Sequence, residues 1–234
     1  MTIAYILAGG LGTRLRGVVS NVPKPMAPIN GEPFLKLLLN FWIKQGITKF
    51  IISVGYLKDH IKIFFGNKYR GVSIEYFDEK IPLGTGGGLV IVSKKIQEDF
   101  VVINGDTFFE VSLKKLKDFK NKTNAGVVVS LFENENLDRY GQVIIDKLNW
   151  LVNIKKSKRK LSNLANGGVY LIDPKIINEN SINYKKQCSI ESDILPNLIN
   201  QKLIVAGIKQ KGRFLDIGTP SDYKRASNFF KIDK

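Results

Sequence analysis

Two kinds of apolar patterning alternate along the first hundred residues. Residues 3–7, 50–54, 72–77 and 100–104 are short runs rich in Ile, Val, Phe and Tyr, the composition of strands. Between them, residues 34–45, 57–65 and 84–95 read as helices set off by turn formers. This alternation predicts crossover connections and a mainly parallel sheet, whose ligands gather at the carboxyl ends of the strands. After about residue 125 the pattern becomes strand-rich, at 126–132, 141–145, 150–154 and 166–172, before helical segments return near 191–200 and 221–230. The expectation is an α/β fold in one domain, residues 1–234, with a small strand-rich subregion set into it. A chain of 234 residues is long enough to bury a substantial core.

The first predicted strand opens into Ala8-Gly9-Gly10-Leu11-Gly12-Thr13-Arg14-Leu15-Arg16, and Pro23-Lys24-Pro25-Met26 follows. Three closely spaced glycines let main-chain N–H groups converge on an anion at distances a β-carbon would obstruct. Arg14, Arg16 and Lys24 add charge: arginine as a planar fork suited to phosphate oxygens, lysine as a compact point charge. A glycine-rich turn after a strand can also be mere punctuation. The spacing fits neither the dinucleotide fingerprint nor the P-loop. The combination of the glycines with Thr13-Arg14-Leu15 and Pro23-Lys24-Pro25 points to a polyphosphate cradle.

These segments resemble the signature of the sugar-1-phosphate nucleotidyltransferases, and the resemblance runs along nearly the whole chain. It includes Pro82-Leu83-Gly84-Thr85-Gly86-Gly87-Gly88-Leu89, Asn104-Gly105-Asp106-Thr107, Tyr140-Gly141, Asn166-Gly167-Gly168-Val169-Tyr170, Ser189-Ile190-Glu191-Ser192-Asp193 and Asp216-Ile217-Gly218-Thr219-Pro220. Within the family the glycine-rich, VGYL and PLGTGGGL segments are most similar to those of heptose 1-phosphate guanylyltransferases. The resemblance implies a Rossmann-like three-layer sandwich with a mixed, mainly parallel central sheet and a strand-rich sugar-binding subregion. It implies guanylyl transfer from GTP to D-glycero-α-D-manno-heptose 1-phosphate, with pyrophosphate released, in surface polysaccharide synthesis. Mannose-1-phosphate guanylyltransferase, a hexose-1-phosphate uridylyl- or thymidylyltransferase, and a silent sugar-nucleotide-binding regulator are the alternatives.

Such a reaction needs charge neutralisation more than a side-chain nucleophile, which suits Mg²⁺ held by carboxylates. Asp106 follows the apolar run Phe100-Val101-Val102-Ile103, which would present its carboxylate at a strand end. The resemblance implies that Asp216 reaches the same metal. Read alone, Asp106 is a turn residue and Asp216 a cap for a helix beginning near Pro220. Arg14 is assigned to the nucleotide phosphates, Gly10, Gly12, Thr13 and Gly84 to the nucleotide, and the main chain of Leu7, Ala8 and Gly9 to the nucleotide with the base in reach. The resemblance places Lys24 at the reacting phosphates and Lys156 at the sugar phosphate, although Lys155 stands where many relatives carry glutamate.

By family analogy Glu79 lies near the nucleobase, where a carboxylate could accept from both N1–H and the exocyclic amino group of guanine. It could equally be a solvated turn residue. Gly86, Gly87, Gly141, Asn166, Tyr170 and Glu191 are the sugar candidates, small residues allowing close approach and polar ones pairing with hydroxyls. Each could instead support a turn, and Ser189 could cap the helix that follows it.

Composition narrows the classes further. The net charge of +15 would suit nucleic acid or an anionic membrane, but the lysines are scattered, and the cluster at 155–160 lacks interleaved aromatics. No nucleic-acid or membrane partner is expected; the partners are GTP and a sugar 1-phosphate, with a homo-oligomer left open. No apolar run approaches a bilayer-spanning length and the start lacks the marks of a secretory signal, so a cytoplasmic location is expected. The single cysteine, Cys188, reads as a packing residue, and the single histidine, His60, as part of a helix start.

Overall fold

The computed structural model describes residues 1–15, 17–19, 21–134, 142–155, 161–180, 187–202 and 205–231. In chain order its elements are β1 (Ile3–Leu7), β2 (Pro28–Ile29), β3 (Glu32–Pro33), α1 (Phe34–Lys44), β4 (Lys49–Val54), α2 (Lys58–Phe65), β5 (Lys68–Tyr69), β6 (Val72–Asp78), α3 (Gly84–Ser93), β7 (Phe100–Asn104), β8 (Thr107–Phe109) and α4 (Leu113–Thr123). There follow β9 (Val127–Glu133), β10 (Gln142–Ile145), β11 (Leu151–Lys155), β12 (Leu164–Ile172), α5 (Pro174–Glu179), α6 (Leu195–Asn200), β13 (Val205–Lys209), β14 (Phe214–Asp216) and α7 (Pro220–Phe229). Short 3-10 turns occupy Thr13–Leu15 and Lys24–Met26, and a π-helical turn occupies Ile190–Ile194. The residues group into two compact units, neither of them continuous in sequence.

The first unit comprises Met1–Pro82, Ile103–Phe108 and Arg213–Lys234. Its strands run in the order β1, β4, β6, β5, with the first three parallel and β5 antiparallel at the edge. Residues 3–6 of β1 and 50–54 of β4 are all buried, as expected of parallel strands covered on both faces. Helix α1 buries Phe34, Leu35, Leu38, Leu39 and Trp42, an apolar stripe at helical spacing. An aromatic cluster ties the end of the chain to this core. The Phe108 ring lies 5.1 Å from Phe41, 5.8 Å from Phe229 and 4.9 Å from Phe230, and Phe230 is 6.3 Å from Phe34. That cluster anchors α7 and so fixes β14 immediately before it.

The second unit comprises Leu83–Val102 and Phe109–Gly212. Strand β9 pairs in parallel with β13 and antiparallel with β12, and β10 and β11 form a separate antiparallel pair. The β12 register slips between Asn166 and Tyr170, where Gly168 takes φ +69°. Such a bulge bends a strand and re-aims its side chains. The strand pairing is mixed and mainly parallel, and the residues of β7 divide between the units.

Most predicted elements are present to within a residue or two. Helix α4 is an addition: Ser112 caps it by accepting from the Lys115 N–H at 3.3 Å, and only Leu113 and Leu116 are buried. Strand β13 and the short strands β2, β3, β5, β8 and β14 are also additions.

Candidate functional site

In the first unit the end of β1 and the end of β7 are locked together. The Gly105 N–H donates to the Leu7 carbonyl at 3.0 Å, and a β-carbon at Gly105 would sit 2.6 Å from that oxygen. Glycine is therefore the residue that lets Asp106 follow directly beside the cradle. The cradle then turns at Gly12, with φ +61° and space for a β-carbon only 3.0 Å from Cβ of Lys24. Ala8 is buried, while Gly10, Thr13 and Arg14 are exposed, so the main chain and the arginine face solvent.

Lys24 emerges from a turn pre-set by Pro23 and Pro25, and its Nζ donates to Oδ2 of Asp106 at 2.5 Å. Thr107 Oγ1 donates to the other carboxylate oxygen at 3.1 Å. Burial pushes the Asp106 pKa up, but the charge and hydrogen bond of Lys24, the Thr107 hydroxyl and the Arg14 charge outweigh it. The carboxyl is held below the usual carboxylate range. The Ile217 N–H donates to the Asp106 carbonyl at 3.0 Å, which brings the chain next to Asp216 alongside Asp106. Oδ1 of Asp216 accepts from the Gly218 N–H at 2.6 Å.

The alternative reading of Asp216 as the cap of α7 is corrected here. The cap is Thr219, whose hydroxyl accepts from the Asp222 N–H at 3.4 Å. A threonine one residue before Pro220 suits that position better, which leaves the aspartate one turn earlier for other work.

Glu79, just past β6, is fastened by its N–H to the Val54 carbonyl at 2.9 Å. Its carboxylate lies against the cradle: a β-carbon at Gly9 would meet Oε1 of Glu79 at 2.5 Å.

The polar sugar candidates Asn166, Tyr170 and Glu191 fall in the second unit and form one network. Asn166 Nδ2 donates to the Tyr170 oxygen at 2.6 Å, and the Tyr170 hydroxyl donates to Oε1 of Glu191 at 2.7 Å. Oε2 of Glu191 accepts from Ser189 at 2.8 Å and from Thr85 at 3.3 Å. Burial first, and then the Glu191 charge, drives the Tyr170 pKa well above its ordinary value, so the phenol remains a donor. The Ser189 hydroxyl also accepts from the N–H groups of Glu191 and Ser192 at 3.1 and 3.2 Å, which is the expected cap. Thr85 and Ser189 were not among the sugar candidates. The only signal for Thr85 was its place inside Pro82-Leu83-Gly84-Thr85-Gly86-Gly87.

Gly84 and Gly86 owe their form to packing inside this unit. A β-carbon at Gly84 would lie 2.3 Å from the Cys188 carbonyl oxygen, and one at Gly86 would lie 2.8 Å from the Cys188 sulfur. Cys188 itself is buried, as its packing assignment requires. Gly87 is buried within α3. Gly141 and Lys156, with Arg16 and Tyr140, lie outside the described residues.

No cluster of three or more His, Cys, Asp or Glu residues suited to a metal occurs among the described residues. The pair Asp106 and Asp216 remains, two aspartates brought together near the glycine cradle by the backbone bond from Ile217 to Asp106. Such a donor set fits a hard divalent ion that takes its other ligands from phosphate and water.

The strand-end glycine cradle has the Lys24–Asp106 ion pair beside it, and Asp216 directly precedes the Ile217 whose N–H bonds the Asp106 carbonyl. Residues 3–232 match the nucleotidyl transferase family, and the chain belongs to that family. It is 38% identical to D-glycero-α-D-manno-heptose 1-phosphate guanylyltransferase of Campylobacter jejuni over 94% of this chain and 96% of that one. It is 41% identical to the protein of the same name from Aneurinibacillus thermoaerophilus over 95% of this chain and 96% of that one. The crystal structure of HddC from Yersinia pseudotuberculosis complexed with GMP-PN superposes with a TM-score of 0.83 at 35% identity, covering 99% of this chain and 100% of that chain. The resemblance read from the motifs is borne out, as is the Rossmann-like fold.

Proposed function

We propose that this chain transfers a guanylyl group from GTP to D-glycero-α-D-manno-heptose 1-phosphate, forming GDP-heptose and pyrophosphate, and that its two units act as one catalytic domain. The Lys24–Asp106 ion pair beside the glycine cradle, with the Arg14 charge acting on it and Asp216 joined to it through Ile217, carries this reading, and the two relatives named as heptose 1-phosphate guanylyltransferases support the substrate.

The cradle N–H groups and Arg14 hold the triphosphate, and Lys24 offers its ammonium to the phosphates at the reacting centre. An oxygen of the sugar phosphate forms the new bond to the α-phosphorus while the bond to the departing pyrophosphate breaks. The attacking oxygen is already anionic near neutral pH, so no general base is required. Asp106 and Asp216 would hold Mg²⁺, which supplies neutralisation of the phosphate charge. Holding attacking and leaving groups in line removes on the order of 7–11 kcal/mol of barrier.

Glu79 accepts from guanine at N1–H and at the exocyclic amino group. The Asn166–Tyr170–Glu191 network meets the sugar hydroxyls, with Lys156 at the sugar phosphate. The product would feed a surface polysaccharide, and the reaction would run in the cytoplasm; no helix among the described residues is long and apolar enough to cross a membrane.

The test is pyrophosphate release from GTP and the heptose 1-phosphate, with Mg²⁺ and with a chelator. Release that depends on both substrates and stops on chelation is the expected result. Binding of GDP-heptose without turnover would make the chain a sugar-nucleotide-binding regulator instead. In the same assay Glu79→Gln should narrow the preference for GTP over ITP, which lacks the amino group, by about tenfold.

A further inference from the structure

Beside Gly9, Glu79 has two polar neighbours, Ser53 and Tyr5, that none of the transfer steps uses. Ser53 sits in β4 among Phe50, Ile51, Ile52 and Val54, all of them buried, and is itself wholly buried. In the sheet it pairs across to Leu7 on one side and to Phe77 on the other. A hydroxyl in such a run costs stability unless it finds a partner. Its partner is Glu79: Ser53 Oγ donates to Oε1 of the carboxylate.

The same carboxylate oxygen would lie 2.5 Å from a β-carbon at Gly9, and Ser53 Oγ would lie 3.1 Å from it. The cradle, the middle strand and the end of β6 therefore meet at one carboxylate oxygen. The wholly buried Tyr5, on β1, completes the cluster. Its hydroxyl oxygen makes no well-formed hydrogen bond, and its polar neighbours are Ser53 and Glu79. Burial raises the phenol's pKa, Ser53 pulls it back in part, and the Glu79 charge raises it further, so the phenol stays neutral.

We infer that Ser53, backed by the Tyr5 phenol, is a positioning residue for nucleobase selection: its hydroxyl fixes the rotation of the Glu79 carboxylate beside Gly9. A carboxylate free to rotate loses orientational freedom when it meets two donors; one already held in a fixed plane meets guanine's N1–H and amino group without that cost. The inference rests on the proposed reading of Glu79 as the base-facing group.

The test measures kcat/KM for GTP and for ITP in the wild type and in Ser53→Ala, Glu79→Gln and Tyr5→Phe, with thermal unfolding to confirm the fold. Ser53→Ala should lower the GTP-to-ITP ratio by about fivefold or more, through a raised KM for GTP and with kcat within about twofold. Tyr5→Phe should lower it by a smaller factor, and this variant decides the matter if Ser53→Ala fails to fold. An unchanged ratio in Ser53→Ala beside a collapsed ratio in Glu79→Gln would make Ser53 a packing residue and overturn the inference. A ratio unmoved in both would remove Glu79 from base selection, and the inference with it.

Discussion

Asp106→Asn should lower kcat by about a thousandfold or more, equivalent to about 4 kcal/mol of transition-state stabilisation, while the protein stays folded. The amide keeps the shape of the side chain and removes its charge. It can neither balance Lys24 nor serve as an anionic ligand to a divalent ion, and both functions converge on this one carboxylate. The effect on stability should be much smaller, about 1 kcal/mol, because about a third of the Asp106 side chain remains open to solvent and screening weakens the pair.

The pH dependence has a defined sign. The folded-state pKa of Asp106 is lowered, so its contribution to stability is fully present above about pH 4 and is lost as the pH falls through the folded value. Denaturation curves of wild type and Asp106→Asn should therefore converge in acid and differ most near neutrality. Turnover near neutral pH should show no titration attributable to Asp106, since the carboxylate is ionised throughout that range.

Gly84→Ala should destabilise the chain by about 3 kcal/mol or more, read as a lowered thermal midpoint. Gly84 has φ +71°, and its missing β-carbon would fall 2.3 Å from the Cys188 carbonyl oxygen. That carbonyl is not free to retreat, because it also accepts from the Gly86 N–H at 2.9 Å, and the Cys188 N–H donates to Leu83 at 3.0 Å. Gly31→Ala is the control, with φ +84° and nothing within 4 Å of the added carbon. It should cost only the conformational part, about 1 kcal/mol. Variants of Gly84 that fold should also raise KM for the sugar phosphate, because Thr85, the next residue, supports both Glu191 and the Ile190 N–H.

The sheet of the first unit could be read from sequence because parallel strands covered on both faces are apolar nearly throughout. Helix α4 could not, because its two buried leucines lie among five lysines between residues 114 and 122 and leave too narrow a stripe. Residues 103–108 and 213–231 join the first unit through contacts distant in sequence, which local patterning does not record. At the site, Asp106 was marked by its place after an apolar run, whereas Asp216 carried no local signal and came only through resemblance. Ser53 shows the limit most clearly. A single serine inside a strand looks like filler until the fold sets it against a carboxylate 26 residues away.

The central claim is that the cradle and its two aspartates handle GTP for transfer to a heptose 1-phosphate. The direct measurement is kcat/KM for GTP, UTP, dTTP and ATP, each paired with D-glycero-α-D-manno-heptose 1-phosphate, mannose 1-phosphate and glucose 1-phosphate. The account predicts the highest value for GTP with the heptose phosphate, and at least about tenfold less for any other nucleotide. A higher value for UTP or dTTP, or no pyrophosphate from GTP with any of the three sugars, would contradict it.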